Sequence, residues 1–228
     1  MRFWRMGRRG ADFASEREAM VERQLRARGI TRSDLLDAFR SVPREAFVGQ
    51  NVAHLAYGDH PLPIEGGQTI SQPYIVGLMI EAVGLKAGDK ALEVGSGSGY
   101  AAAVMSRIAA VVIGIERRAE LVMLARERMR SLGYDNVTIL KGDGTLGVAR
   151  EAPFDAILVA ASGSHVPQHL TDQLAPGGRL VIPIGEPGSV QKLIQIRKNE
   201  DGSLRRSDLG RVRFVPLIGE EGWIDAQD

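Results

Sequence analysis

The run LEVGSGSGY, Leu92 to Tyr100, constrains this chain more than any other. An apolar strand carrying Leu92 and Val94 leads straight into Gly95, Gly97 and Gly99, and helical character starts at Tyr100. Glycines there let the backbone turn tightly and let a ligand approach main-chain atoms with no side chain in the way. The following helix offers unpaired N–H groups to the same ligand. A second apolar run, VVIGIE, ends at Glu116, 21 residues after Gly95. An acid at that offset commonly binds the ribose hydroxyls of an adenosine cofactor.

From Lys90 onward, strand and helix patterns alternate. The sequence predicts strands at 90–94, 111–116, 137–141, 155–160, 179–184, 192–197 and 211–215, and helices at 100–109, 118–132 and 165–174. This rhythm argues for an α/β fold, doubly wound around a mostly parallel sheet. The turn signal Asn199-Glu200-Asp201-Gly202 makes the last two strands antiparallel. Upstream, Ser15 and Glu18 form a capping-box pattern, and Gly29 stops that helix. A second helix carries Leu35, Leu36 and Phe39 and ends at Pro43; a third spans about Gln72 to Val83. Residues 48–67 look loop-like. The expected organisation is a single domain: a flexible tail at 1–11, a helical substrate cap at 12–86, and a cofactor-binding α/β core at 87–228.

A length of 228 residues suits one such domain. Net charge is +1, so no general field draws the chain to nucleic acid or an anionic membrane. With no cysteine, disulfides and thiolate chemistry are excluded, and a cytoplasmic location is the expectation. The basic start MRFWRMGRRG, with Arg8-Arg9, lacks the apolar core of a signal peptide. No stretch is long enough to span a membrane, and nothing demands more than a monomer.

Three acids discriminate among adenosine cofactors. A P-loop needs Gly-Lys-Ser/Thr, and Gly99-Tyr100-Ala101 lacks the lysine. A dinucleotide fold wants G-x-G-x-x-G/A, and residue 100 is Tyr. Glu93, Glu116 and Asp143 instead each fall near a strand's carboxyl end, where open α/β sheets bind ligands. One acid toward the amino-acid end, one for the ribose and one near the base is the layout of an S-adenosylmethionine site. A solvated strand end is the plain alternative for each acid alone. His165 and His169 share a helical spacing, but no third ligand is apparent, so no metal is expected.

The missing cysteine excludes covalent C5 methylation of cytosine. The place of the Asn/Asp-Pro-Pro-aromatic loop used on exocyclic base nitrogens reads AASGSH, so nucleic acid is not the expected substrate. In GQTISQP, Gly67 to Pro73, Ser71 and Pro73 stand where a helix begins. Ser71 reads either as a simple N-cap or as a hydroxyl presented to an anion, and a carboxylate acceptor fits the second reading.

GQTISQP, LEVGSGSGY, GDGTLG, APFDAILVA, LAPGGRLVIPIG and RFVPLIG together resemble the protein-L-isoaspartate O-methyltransferase family, as do MVERQLRARGI, VPREAFV and AYGDHPLPI near the N-terminus. The match runs from about Ala19 to Gly219. The resemblance implies a seven-stranded, Rossmann-like class I fold. It also implies methyl transfer to the α-carboxylate of L-isoaspartyl, and often D-aspartyl, residues in damaged proteins. The ester then collapses to a succinimide. Glu65 stands where Gly is expected in most relatives, Ser96 where Thr is common, and Ala160 where Thr is frequent; Glu65, beside the substrate loop, is expected to influence peptide preference. A different carboxyl or small-molecule O-methyltransferase on the same fold is the alternative, followed by a cofactor-binding protein without turnover and an NAD oxidoreductase.

The acceptor carboxylate is ionised at neutral pH, with an ordinary pKa of about 3.5 to 4, so no general base is needed. Ser71 is assigned to hold it, with Thr69 and Ile70 beside it. Gly95, Ser96 and Gly97 are assigned to the methionine end of S-adenosyl-L-methionine (product S-adenosyl-L-homocysteine), Glu116 to the ribose, and Asp143 and Gly144 to the adenine. The backbone of Val215 and Leu217 as substrate contacts is implied by the resemblance alone. Asp59 is read either as a brace for the Ser71 loop or as a surface turn.

Overall fold

The computed structural model describes residues 12–225. The Arg8-Arg9 leader and Trp4 lie outside the described residues. α1 (Phe13–Met20) begins at an N-cap supplied by Asp12, whose carboxylate accepts from the Ser15 amide at 3.2 Å. The expected Ser15 capping box is therefore displaced by one turn. The helical path continues through tighter and wider turns to Gly29, whose left-handed φ of 93° ends it. α2 (Ser33–Ser41) buries Leu35, Leu36 and Phe39, as its 3.6-residue periodicity requires.

The segment read as a loop contains a small hairpin. β1 (Leu62–Pro63) pairs antiparallel with β2 (Thr69–Ile70), Leu62 opposite Ile70 and Pro63 opposite Thr69. Gly66 and Gly67 close it with φ of 64° and 67°, conformations that a Cβ would disfavour. α3 (Pro73–Val83) follows with Pro73 in its first turn.

The seven-stranded sheet has the order β5-β4-β3-β6-β7-β8-β9. Its strands are β3 (Lys90–Val94), β4 (Val111–Glu116), β5 (Val137–Lys141), β6 (Phe154–Val159), β7 (Leu174–Ile184), β8 (Gln191–Lys198) and β9 (Leu204–Val212). The first five pair in parallel, and β7-β8-β9 form an antiparallel meander. α4 (Tyr100–Ser106), α5 (Ala119–Leu132) and α6 (Gln168–Asp172) connect them. α4 and α6 are shorter than their sequence patterns suggested.

The final strand departs most from expectation. It covers 204–212, not 211–215, because Gln191 captures Phe214, two residues past the strand's end. The Gln191 side chain accepts from the Phe214 amide at 2.8 Å, acting as a substitute strand partner. The chain then bends to bond Ser162, with Ser162 N–H donating to the Val215 carbonyl and Leu217 N–H to the Ser162 carbonyl, each at 2.8 Å.

The N-terminal helices pack on the sheet through one continuous apolar cluster. It runs from Met20, Leu25 and Phe39 through Met79 and Ile80 to Tyr100 and Val104. That packing holds the β1-β2 hairpin and the start of α3 against the carboxyl ends of β3 and β6. There the strand order reverses, which is where open α/β sheets form ligand crevices.

Candidate active site

β3 delivers Gly95, Gly97 and Gly99 with φ of 80°, 50° and 88°. A Cβ built on Gly95 meets nothing closer than 3.8 Å, so its glycine serves backbone conformation and not crowding. Crowding decides a glycine on the neighbouring strand. A Cβ at Gly114 would lie 2.4 Å from Ser96 Oγ. The small residue in VVIGIE is thus what lets the loop fold over β4.

Glu116 closes this turn from the side. One carboxylate oxygen accepts from the Gly97 amide at 3.0 Å and the other from the Arg118 amide at 2.9 Å. Its position is therefore fixed before any ligand arrives. Glu93, at the end of β3, is buried and one of its oxygens has no hydrogen-bond partner. Burial pushes its carboxyl up to about 8, with Glu116 adding to the shift. The Ser96 hydroxyl stands beside it and tempers the shift without a well-formed hydrogen bond.

These residues line a cavity of about 560 Å³, a size typical of small-molecule sites. Gly95, Ser96, Gly97, Glu93, Glu116 and Gly144 form one wall; Thr69, Ile70 and Ser71 form another, and Val215, Leu217 and Trp223 a third. The sequence-derived residues from both sides of the crevice therefore meet in one space. The simple N-cap reading of Ser71 fails: Gln72 occupies the N-cap position, and no side chain caps α3. Ser71 sits one residue before that N-cap, on the cavity wall.

Three expectations need correction. Asp143 does not line the cavity; one oxygen accepts from Thr145 N–H and hydroxyl, at 2.8 and 2.7 Å, and the other from Glu220 N–H at 2.7 Å. It anchors the C-terminal segment, and Gly144 is what reaches the cavity. Leu217 has its amide engaged by Ser162 and its carbonyl by Trp223, so its main chain is closed to a substrate. Glu65 does not line the cavity; its carboxylate pairs with Arg128, at 3.4 Å. Asp59 pairs with Arg28 at 2.7 Å, and the Arg28 guanidinium stacks 3.4 Å above the Tyr74 ring at the start of α3.

The residue that does brace the Ser71 loop is Arg44, which the sequence did not single out. It is fully buried; Nε donates to the Ala56 carbonyl at 2.7 Å and Nη2 to the Ser71 carbonyl at 2.8 Å. Its guanidinium lies 4.8 Å from the centroid of the Tyr100 ring. VPREAFV contributes only to the resemblance of the N-terminal cap, and nothing in it signals a buried arginine.

His169 pairs with Glu221 at 2.9 Å, and no group of three metal-ligating side chains occurs among the described residues. No described helix is long and apolar enough to cross a membrane.

A seven-stranded sheet with a glycine turn after its first strand and an acid ending the second defines a class I methyltransferase fold. An independent comparison carries the assignment further. The family model described as Protein-L-isoaspartate(D-aspartate) O-methyltransferase matches residues 15–222, and the chain belongs to that family. It is 55% identical over 207 residues to protein-L-isoaspartate O-methyltransferase 2 of Pelobacter propionicus, covering 91% of this chain and 92% of that one. It is 52% identical over 211 residues to protein-L-isoaspartate O-methyltransferase 1 of Rhodopseudomonas palustris, covering 92% and 86%. Among solved structures, a protein-L-isoaspartate O-methyltransferase of Plasmodium falciparum in complex with S-adenosyl-L-homocysteine aligns with a TM-score of 0.75. It is 32% identical, over 89% of this chain and 98% of that one.

Proposed function

We propose that this protein transfers a methyl group from S-adenosyl-L-methionine to the α-carboxylate of L-isoaspartyl residues in damaged proteins. The observation that carries this reading is the single cavity bounded on one side by the glycine turn with Glu116 and on the other by Ser71. Its donor set suits the cofactor. Glu93 offers a buried, unpartnered carboxyl oxygen to a cationic amino-acid end, and Glu116 offers a pre-fixed carboxylate to vicinal hydroxyls. When bound, the cofactor supplies a methyl group activated by its sulfonium.

The chain's own residues orient and desolvate. Ser71 Oγ donates to one oxygen of the acceptor carboxylate, leaving the other free to take the methyl. Thr69 and Ile70, pinned in the β1-β2 hairpin, fix the approach. In-line attack requires the carboxylate oxygen roughly 3 Å from the methyl carbon. The free carboxylate oxygen would take the methyl of S-adenosyl-L-methionine bound there, the neutral thioether leaving with the bonding pair, so the chain's residues would need only to hold and align the acceptor. No proton moves, which accords with the absence of a histidine from the cavity wall. Leu217 and Trp223 exclude water, so the carboxylate loses hydration as it enters. The methyl ester then collapses to a succinimide without further help.

The division of labour follows the chain: residues 12–86 present the substrate loop, and the α/β core from residue 87 onward holds the cofactor. Radiolabelled methyl transfer to an isoaspartyl peptide, with its aspartyl twin as control, tests the reading. Label on the isoaspartyl peptide alone supports it; label on both or on neither refutes it.

A further inference from the structure

Ser71 also lines a second cavity, of about 360 Å³, on the outer side of the substrate loop. Pro61, Ile75, Val190 and Phe214 give it apolar walls. Arg211 and Arg213 stand on it, two residues apart, and both are exposed. Among the described residues, no carboxylate lines it. Neither arginine makes a side-chain hydrogen bond or ion pair with any described residue. The nearest acid on the same strand, Asp208, faces Lys192 instead, at 3.8 Å.

We propose that this groove receives the residues flanking the isoaspartyl linkage, and that Arg211 and Arg213 make it favour acidic side chains there. The proposal rests on the methyl-transfer reading above and deepens it by naming a substrate class. Continuity is the first support: Ser71, assigned to hold the reacting carboxylate, is shared by both cavities, so a peptide bound at Ser71 has this groove as its exit. Charge complementarity is the second: two cations without a partner among the described residues border a trough whose other walls are apolar or neutral, in a chain whose net charge is only +1. Reach is the third. An extended chain advances about 3.3 to 3.6 Å per residue, and the arginines share one groove with Ser71. The arginines therefore address side chains within a few residues of the isoaspartate. The position of these residues is set by Gln191, which fixes Phe214 to the end of the sheet.

The test uses the full-length protein and three isoaspartyl peptides that differ only in flanking residues: glutamate, serine or lysine at the second and third positions on both sides. For the wild type, kcat/KM should fall about fivefold from glutamate to serine and again from serine to lysine at low salt. The differences should lie mainly in KM and shrink as salt is added, as exposed charge pairs do. The double variant R211E/R213E should invert the order, and R211A/R213A should flatten it. Thermal unfolding and S-adenosyl-L-homocysteine binding verify that both variants are folded. An unchanged order in the charge-reversed protein, or no charge preference in the wild type, overturns the proposal while methyl transfer stands. No methylation of any of the three peptides removes the underlying reading and this proposal with it.

Discussion

The guanidinium of Arg44 donates to the main-chain carbonyl of Ser71 at 2.8 Å from a position with no solvent exposure. It ties the substrate loop to the segment around Ala56, whose carbonyl it also holds. Burial pushes its pKa down from the ordinary arginine value. Tyr100 and the Asp59 charge partly offset that penalty, and among the described residues no carboxylate pairs with it directly.

Arg44→Ala should therefore be costly. It empties a packed site and leaves two carbonyls without donors, which amounts to about 3 kcal/mol or more. For a chain of this length that is a fall in Tm of roughly 6 to 12 °C. Peptide KM should rise while S-adenosyl-L-homocysteine affinity holds, because the substrate side of the cavity loosens first. Calorimetric unfolding with steady-state kinetics checks both; equal Tm and KM in the variant would contradict the bracing role.

Glu93 gives the protein a pH signature. Its carboxyl stands at about 8 when folded against 4.5 when free. Between those values the folded state holds a proton that the unfolded state has released. Stability of the cofactor-free protein therefore falls as pH rises from about 4.5 to about 8. Glu93→Gln should flatten that slope, as read by denaturant unfolding at pH 5 and pH 8. A cationic ligand favours the ionised form, so binding S-adenosyl-L-homocysteine at pH 7 should release close to one proton in the wild type and none in the variant. Titration calorimetry in two buffers of different ionisation enthalpy measures this directly, and identical proton release in both proteins would sink the assignment.

Glu116→Ala should weaken S-adenosyl-L-homocysteine at least tenfold, about 1.4 kcal/mol, and leave folding cooperative. The variant loses the acceptor for Gly97 N–H as well as the ribose contact. Equal affinity in wild type and variant would show that the carboxylate serves only the loop.

Glu65→Gly tests whether the residue unusual in GQTISQP's neighbourhood matters through its ion pair. The bond to Arg128 is long, at 3.4 Å, between largely buried side chains, and one Glu65 oxygen is buried with no hydrogen-bond partner, so removing the carboxylate costs little net interaction. Gly at this position should change kcat/KM less than threefold on any isoaspartyl peptide. A larger change that depends on peptide sequence would restore Glu65 as a specificity residue.

The parallel strands were legible because runs such as VVIGIE and FDAILV are buried on both faces and need no partner information to be recognised. β9 was not, because LRRSDLGRV is an edge strand with polar residues on both faces, and RVRFV imitates a half-buried one. Glu116 and Asp143 look alike as strand-end acids. What separates them is which amides reach them: Gly97 for one, Thr145 and Glu220 for the other. Arg44 and Gly114 depend entirely on neighbours distant in sequence, Ser71 and Ser96, and no local pattern reveals either.

The central claim is that Ser71 holds an already anionic acceptor against the cofactor, so that placement replaces proton transfer. The kcat/KM of Ser71→Ala on an isoaspartyl peptide, measured beside its S-adenosyl-L-homocysteine affinity, tests it most directly. The account predicts a fall of tenfold or more, about 1.4 kcal/mol or above, with cofactor affinity unchanged. Wild-type turnover in a folded variant would contradict it.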